Sequence, residues 1–479
     1  MSSNNNAKAL KSGVWYTAAS FITKGIGFFT TPIFARLLSQ NDYGMFSNYV
    51  SWQSTALSFV TLCLYASFIS ARFDFKEDFD GYISSSLVLS TLIALLWGLA
   101  VNLFPGFFVS LTGLELKYIN IMLTYLVMCS AVDMFQSRER YKYEYKVSVV
   151  TSLVISISAA VLSVILVTNL DNKLFGRIIG FVTPTILVGF VLYIFLMRWG
   201  KKVSIRYWKY ALPICLPYVP HILSLSLLNS MDKMMITRIC GAEDNALYSI
   251  AYSCGALITL LVTSLNTAFS PWLGEKLNGK SYDEIKKVSK AYILLFVYGA
   301  CGIMLLSPEL LMLMGGKRYF QAIYVMPPIA FGCVCQFLYT MFVNVEQFGK
   351  KTFGMAVGSV VAALSNYVLN RIFIPRFGYV AAAYTTLASY AMLLLIHIWL
   401  VRRMGLLKVY PIKTIGLVIL FMSLFTLLTD RLYHYTTVRY LAVAAYGLVT
   451  VCVFIKYRKE LLKIGQGNKL INWLHGKKP

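Results

Sequence analysis

Residues 237–249 read TRICGAEDNALYS, and residues 35–47 read ARLLSQNDYGMFS. Shifted by 202 positions the two blocks superpose, with Arg36 on Arg238, Asp42 on Asp244, Gly44 on Ala246, Phe46 on Tyr248 and Ser47 on Ser249. Each block ends one long apolar run, turns, and opens the next. A weaker echo joins VDMFQSRERYK (132–142) to MFVNVEQFGKK (341–351), alike in place and character. Internal repeats of this length in an apolar chain are common in membrane transporters.

The chain around the repeat is 479 residues long, 58% hydrophobic and only 13% charged. A soluble domain is charged at about one residue in four. Fourteen apolar runs are expected as membrane spans: 13–38, 43–70, 82–104, 117–136, 148–168, 175–197, 210–238, 245–272, 291–312, 322–346, 353–374, 379–400, 414–430 and 438–456. Each is long enough for about 30 Å of hydrocarbon. The fold class that follows is an all-α integral membrane protein. Its expected division is a first lobe of six spans (1–197), a basic linker (198–209), a second lobe of six (210–400), two further helices (401–456) and a basic tail (457–479). An even number of helices per unit makes the repeat parallel, with the two lobes facing each other across a central cavity.

The net charge of +24 raises nucleic acid as a partner. Placement of the charges removes the need for one. With the N-terminus inside, 31 of the 44 Lys and Arg lie in loops, tails or span ends on that side, eight, Arg177 among them, lie in loops or span ends opposite, and the remaining five are counted within spans. This is the positive-inside bias, with both termini cytoplasmic and no nucleic acid required. The N-terminal MSSNNNAKALKSG is polar, and the run after it is too long for a signal peptide, so no cleavable leader is expected.

Enzyme and metal chemistry find little footing. The nine cysteines lie mostly in apolar runs, and Cys333 and Cys335 read as small core residues because positions two apart on a helix diverge. There is no HExxH, Walker A or GxGxxG, so no metal or cofactor is expected. The longest external loop is 105–116; the longest internal one, 273–290, reads as a short amphipathic helix. Neither leaves room for a catalytic domain. The acidic DFKEDFD (74–80) reads as a solvated loop, and the tail as a solvated end or a segment lying on the membrane surface.

The repeat also locates a candidate site. Thr17, Ser20, Lys24, Gly27 and Thr31 recur at helical spacing and form a polar stripe on the first span. Adding 202 to 24, 27 and 31 gives Ser226, Asn229 and Lys233, a stripe on span seven that Thr237 extends. Each lobe thus carries one lysine on its first helix, and the two are offset by about 10 Å of helical rise. A charge in a span usually faces a bundle interior or a water-filled cavity. Arg36 and Arg238, at helix ends, are expected to bind terminal carbonyls or Asp42 and Asp244. Asp232 is read as a paired counter-charge, Asp133 and Glu346 as helix-to-helix contacts, and His221 and His397 as satisfied helix residues.

Three stretches then match a known family. FARLLSQNDYGMFS, SLLNSMDKMMITRICGAEDNALYSIAYSCGALITL and NYVLNRIFIPRFGYVAAAYTTLASY (366–390) resemble signature regions of Wzx-type polysaccharide flippases. These belong to the multidrug/oligosaccharidyl-lipid/polysaccharide (MOP) exporter superfamily, which also holds the lipid II flippases and the MATE drug exporters. The resemblance runs from about residue 10 to residue 400. It implies a bacterial inner-membrane protein that moves a polyprenyl-diphosphate-linked oligosaccharide to the outer leaflet by alternating access, for cell-surface polysaccharide assembly. Cavity cations of the family match Lys24 and Lys233 by position, and in the lipid II branch the two added helices form a lipid-tail groove. A polysaccharide polymerase is an implied partner, and an H+ or Na+ gradient is one of several energy sources left open. The alternatives are a MATE-like exporter of cations, which would centre on Asp232, and a membrane glycosyltransferase or polymerase.

Overall fold

A computed structural model describes residues 2–142, 144–349 and 352–465. Among them there are eighteen α-helices and no strand. The first half contains α1 (Ser2–Leu37), α2 (Gln40–Thr61), α3 (Phe68–Asp74), α4 (Phe79–Leu103), α5 (Pro105–Thr112), α6 (Leu116–Tyr141), α7 (Tyr145–Asn169) and α8 (Lys173–Gly200). The second contains α9 (Ile205–Cys215), α10 (Val219–Ile239), α11 (Ala242–Asn278), α12 (Tyr282–Leu305), α13 (Ser307–Met314), α14 (Met326–Phe348), α15 (Thr352–Phe377) and α16 (Tyr379–Arg403). The added pair is α17 (Ile412–Leu432) and α18 (Thr436–Gly465). The tail expected to lie on the membrane surface or in solvent falls outside the described residues from 466 onward.

Ten of these helices are long and apolar enough to cross a membrane, and two bent pairs raise the count to twelve. The spans expected at 13–38 and 245–272 coincide with α1 and α11, which stand outside that count. Each expected span therefore falls on one helix or on consecutive helical segments, and the described residues bear out ten to twelve of the fourteen by length and composition. The expected amphipathic helix at 273–290 is absent: α11 runs on to Asn278 and α12 begins at Tyr282, leaving only a tight turn.

Both bends have local causes. In the second span the chain turns by 50° after Thr61, where Leu62 and Cys63 take the left-handed conformation at φ 44° and 51°. Such values are strained for residues with a side chain. In the seventh span Pro213, Pro217 and Pro220 remove backbone donors, and α9 and α10 meet at 56°. The break sets α9 apart from α10. Although α9 leads the second half, it packs on α4 and on the turn Leu64–Ser67 of the first. Trp208 Nε1 donates to Ser85 O at 2.7 Å, and the Tyr207 and Tyr210 hydroxyls donate to Asp78 and Asp74. Asp80 meanwhile holds Arg138 at 2.7 Å. The acidic run at 74–80 is thus a docking face for α9 and α6; the sequence alone suggested solvent because its partners lie far along the chain.

Helices α6, α7 and α8 pack together, with α4 against α6 and α8; in the other half α14, α15 and α16 do the same, with α10 on α15 and α11 on α14. Without water to drive burial, such contacts depend on close packing of small residues. A Cβ on Gly180 of α8 would stand 2.4 Å from Ser163 Cα of α7, so only glycine fits there. Helices α17 and α18 lean on α12.

The halves meet where the repeat begins, at the end of the bundle bearing the 38–40 and 240–242 turns, here called the upper end. A Cβ on Gly44 would lie 1.7 Å from the Ala242 carbonyl oxygen. Asn245 Nδ2 donates to Gly44 O at 2.8 Å, and the Ser47 and Ser249 hydroxyls meet at 2.6 Å. Ser47 and Ser249 are the same position in the two repeats. A residue touching its own repeat mate lies on the axis relating them, so the pseudo-two-fold passes between these serines.

Replacing Ser47 and Ser249 by cysteine in one chain is expected to give a disulfide within minutes of mild oxidation in membranes. Adding Gly44→Val should slow it by on the order of tenfold, because the added methyls push the Ala242 carbonyl away. Cross-linking at the same rate with and without the valine would contradict the close approach.

Candidate substrate cavity

Helix α10 presents Ser226, Asn229, Lys233 and Thr237 along one face. Asn229 Nδ2 donates to Leu225 O at 2.8 Å, and its Oδ1 accepts from Tyr390 OH at 3.1 Å. Thr237 Oγ1 donates to Lys233 O at 2.8 Å. The stripe lies beside Ser230, whose hydroxyl meets that of Ser54 on α2 at 3.1 Å. It therefore borders the seam between the halves.

Lys233 is half-buried, and its Nζ stands 4.6 Å from the centre of the Tyr252 ring. An ammonium over an aromatic face is stabilised by about 0.5–2 kcal/mol, less than a charge partner would give. Among the described residues no carboxylate forms an ion pair with it. A cation so placed has capacity left for an anion.

Asp232, one residue earlier, points to another face and is 2% exposed. Its Oδ2 accepts from Tyr248 OH at 2.6 Å and from Thr386 Oγ1 at 2.5 Å, and its Oδ1 from Asn370 Nδ2 at 2.7 Å. Asn370 also donates to Asn366 Oδ1 at 3.1 Å and accepts from Thr385, while Asn366 donates to Thr386 at 3.0 Å. The expected counter-charge role gives way to a carboxylate held by neutral donors that join α10, α11, α15 and α16. The signal for those partners was the i, i+4 asparagine pair and the double threonine inside apolar runs.

The other candidates are dispersed. Lys24 lies on α1, but its side chain is outside the described residues, as is that of Thr17. Thr31 Oγ1 donates to its own-helix Gly27 O at 2.9 Å. Arg36 binds two carbonyls, Pro32 O at 2.8 Å and Leu313 O at 2.9 Å, so it ties α1 to α13. Asp42 does not pair with it; Asp42 accepts from Ser39 Oγ at 2.7 Å at the start of α2. Arg238 is exposed at the end of α10. His397 Nδ1 and Glu346 Oε1 lie 2.6 Å apart, both buried, joining α16 to α14. His221 Nδ1 meets Ser359 Oγ at 3.0 Å.

One cation was misplaced by sequence reasoning. Arg177, counted among the external charges, lies inside the first half. Its guanidinium is 3.7 Å from the Phe34 ring and 4.1 Å from the Phe46 ring, and Nη1 donates to Ser163 Oγ at 2.7 Å. It sits about one turn into α8, a distance below the accuracy of span boundaries read from hydropathy.

Known proteins share this fold. A family model described as a polysaccharide biosynthesis protein matches residues 9–277, and one described as MatE matches residues 217–372. An Lsg locus protein of Haemophilus influenzae is 23% identical over 288 residues, covering 57% of this chain and 68% of that one. The solved structure of the lipid II flippase MurJ in an inward closed conformation superposes with a TM-score of 0.72 at 16% identity, covering 94% of this chain and 100% of that one. A MOP superfamily transporter from Pyrococcus furiosus gives a TM-score of 0.56 at 16% identity over 84% of this chain and 97% of that one. At these identities the structures share a fold, and the first family match covers more than half of the sequence. The chain belongs to the polysaccharide biosynthesis protein family.

Proposed function

We propose that this protein is an alternating-access flippase that carries a polyprenyl-diphosphate-linked oligosaccharide from the cytoplasmic to the outer leaflet of a bacterial inner membrane. The observation that carries the reading is Lys233, an ammonium beside the seam of the two halves whose neighbour is a ring. A diphosphate and its sugars are too costly to desolvate for an unaided crossing. A lysine holds such an anion as a point charge and releases it more readily than the bidentate fork of arginine. Lys24, offset by about 10 Å in the common repeat frame, is the second rung. Ser226, Asn229 and Thr31 complete the polar wall, and Arg238 stands near its mouth.

The positive-inside bias puts both termini in the cytoplasm and the upper end outside. The division at 198–209 then separates the two moving lobes, with α9 as the exception that stays on the first. Family membership and the shared fold with a lipid II flippase support this reading. A MATE-like cation exporter is disfavoured because the stripe shows a cation, Lys233, and Asp232 points to another face of the helix. We assign the coupling ion, H+ or Na+, to Asp232, which shares a helix with Lys233. A polysaccharide polymerase is the partner that would consume the product outside.

A charge-assisted contact contributes about 1.5–3 kcal/mol, so Lys233→Ala should slow lipid movement by about ten- to a hundredfold. The assay is reconstituted vesicles holding a fluorescent polyprenyl-diphosphate oligosaccharide, with a cationic dye in parallel. Dye movement without lipid movement would contradict the proposal. Asp232→Asn should leave the lipid movement but remove its response to an imposed H+ or Na+ gradient; an unaltered response would exclude Asp232 as the coupling site.

A further inference from the structure

An apolar cavity of about 370 Å³ lies across the α2–α10 seam from the polar stripe. Helices α2, α4, α5, α6 and α10 line it. Phe59, Trp97, Phe108 and Phe107 run through its wall as a chain of aromatic contacts at 6.0, 6.4 and 5.2 Å between ring centres. Its two threonines present no free hydroxyl: Thr55 Oγ1 donates to Ser51 O at 3.0 Å and Thr112 Oγ1 to Phe108 O at 2.8 Å. Nothing in the wall asks for water. An apolar cavity of about 150 Å³ accepts a benzene; on that scale this one holds about fifteen carbons.

Its position relates it to the candidate site. Leu223 and Leu227 of α10 line the cavity. On the helical wheel they lie about 100° from the Ser226, Asn229 and Lys233 stripe, with Ser230 between. The Ser54 and Ser230 hydroxyls, 3.1 Å apart, link α2 to α10 between the stripe and the cavity. Leu227 and Lys233 are separated by about 9 Å along the axis. One amphiphile can therefore place its anionic head at the lysine and its chain in the cavity. Helix α5 covers part of the cavity and has no buried residue; Asn48 Nδ2 holds its end at Thr112 O, 2.8 Å away.

We propose that this cavity holds the first isoprene units of the transported lipid, and that the stem joining head to chain passes through the α2–α10 seam where Ser54 and Ser230 part. The inference rests on the flippase reading and adds the place where the chain rides. It differs from the tail groove at the added helix pair that the family resemblance implied. Isoprene units are flat, methyl-branched alkenes, which match aromatic faces better than a saturated acyl chain does. The occupant is accordingly the polyprenyl chain.

Two measurements test this. In reconstituted vesicles, Ala56→Trp and Leu227→Trp should each lower the ratio of undecaprenyl to geranyl substrate movement by about tenfold. A ratio equal to that of the unaltered protein, whether both rates fall or neither does, overturns the proposal. Independently, an undecaprenyl diphosphate with a diazirine near its head should label peptides containing residues 52–60, 97–123 or 223–227. Label on α17 or α18, or uniform label over the lipid-facing surface, also overturns it. If the unaltered protein moves no lipid the flippase reading falls, and the photolabel alone decides the cavity.

Discussion

In hydrocarbon a polar group must find its partner within the protein, and that constraint organises this fold. Asp232 is surrounded by a tyrosine, a threonine and an asparagine. Arg36 takes two carbonyls, Arg177 takes two rings and a serine, and His397 takes Glu346. Each arrangement fastens helices that lie far apart in sequence. Lys233 departs from it, with a cation whose neighbour is an aromatic face. Among the described residues no carboxylate forms an ion pair with it, and the proposed lipid diphosphate would supply the counter-charge.

The two halves share a repeat but not a shape. The axis passes between Ser47 and Ser249, and glycine at position 44 lets the second and eleventh helices close on it. The bends, however, fall in spans two and seven, while the repeat mate of α2 is the uninterrupted α11, 37 residues long. Those bent spans touch: Cys215 Sγ donates to Leu64 O at 3.8 Å. Because α9 packs on the first half while α10 packs on α15 of the second, the proposed movement between the halves would be absorbed near Leu216–Tyr218. The prolines there leave few backbone hydrogen bonds to break.

Much of this was legible in the sequence because it is local or periodic. Apolar runs predicted where helices lie, the 202-residue offset paired the serines that the structure brings together, and Pro213, Pro217 and Pro220 stand in the sequence at the break in span seven. The bend at Leu62 and Cys63 was hidden, since neither residue favours the left-handed conformation it adopts. Asn366, Asn370, Thr385 and Thr386 stand out as polar residues in apolar runs, but that they gather around Asp232, more than a hundred residues away, was hidden, as was the docking of α9 on the acidic run. Periodicity reports which face of a helix is polar; it does not report which helix meets that face.

The central claim is that Lys233 lies in a cavity that opens to one side at a time and holds an anionic lipid head. The most direct measurement keeps Lys233 and replaces Asn229, one turn away on the same stripe, by cysteine in a chain whose nine native cysteines have been removed, then follows its reaction with a membrane-impermeant thiol reagent applied to either side. The account predicts reaction from the cytoplasmic side while the upper end is closed, and protection by polyprenyl diphosphate. Reaction from neither side, or reaction that the diphosphate lipid leaves unchanged, would contradict it.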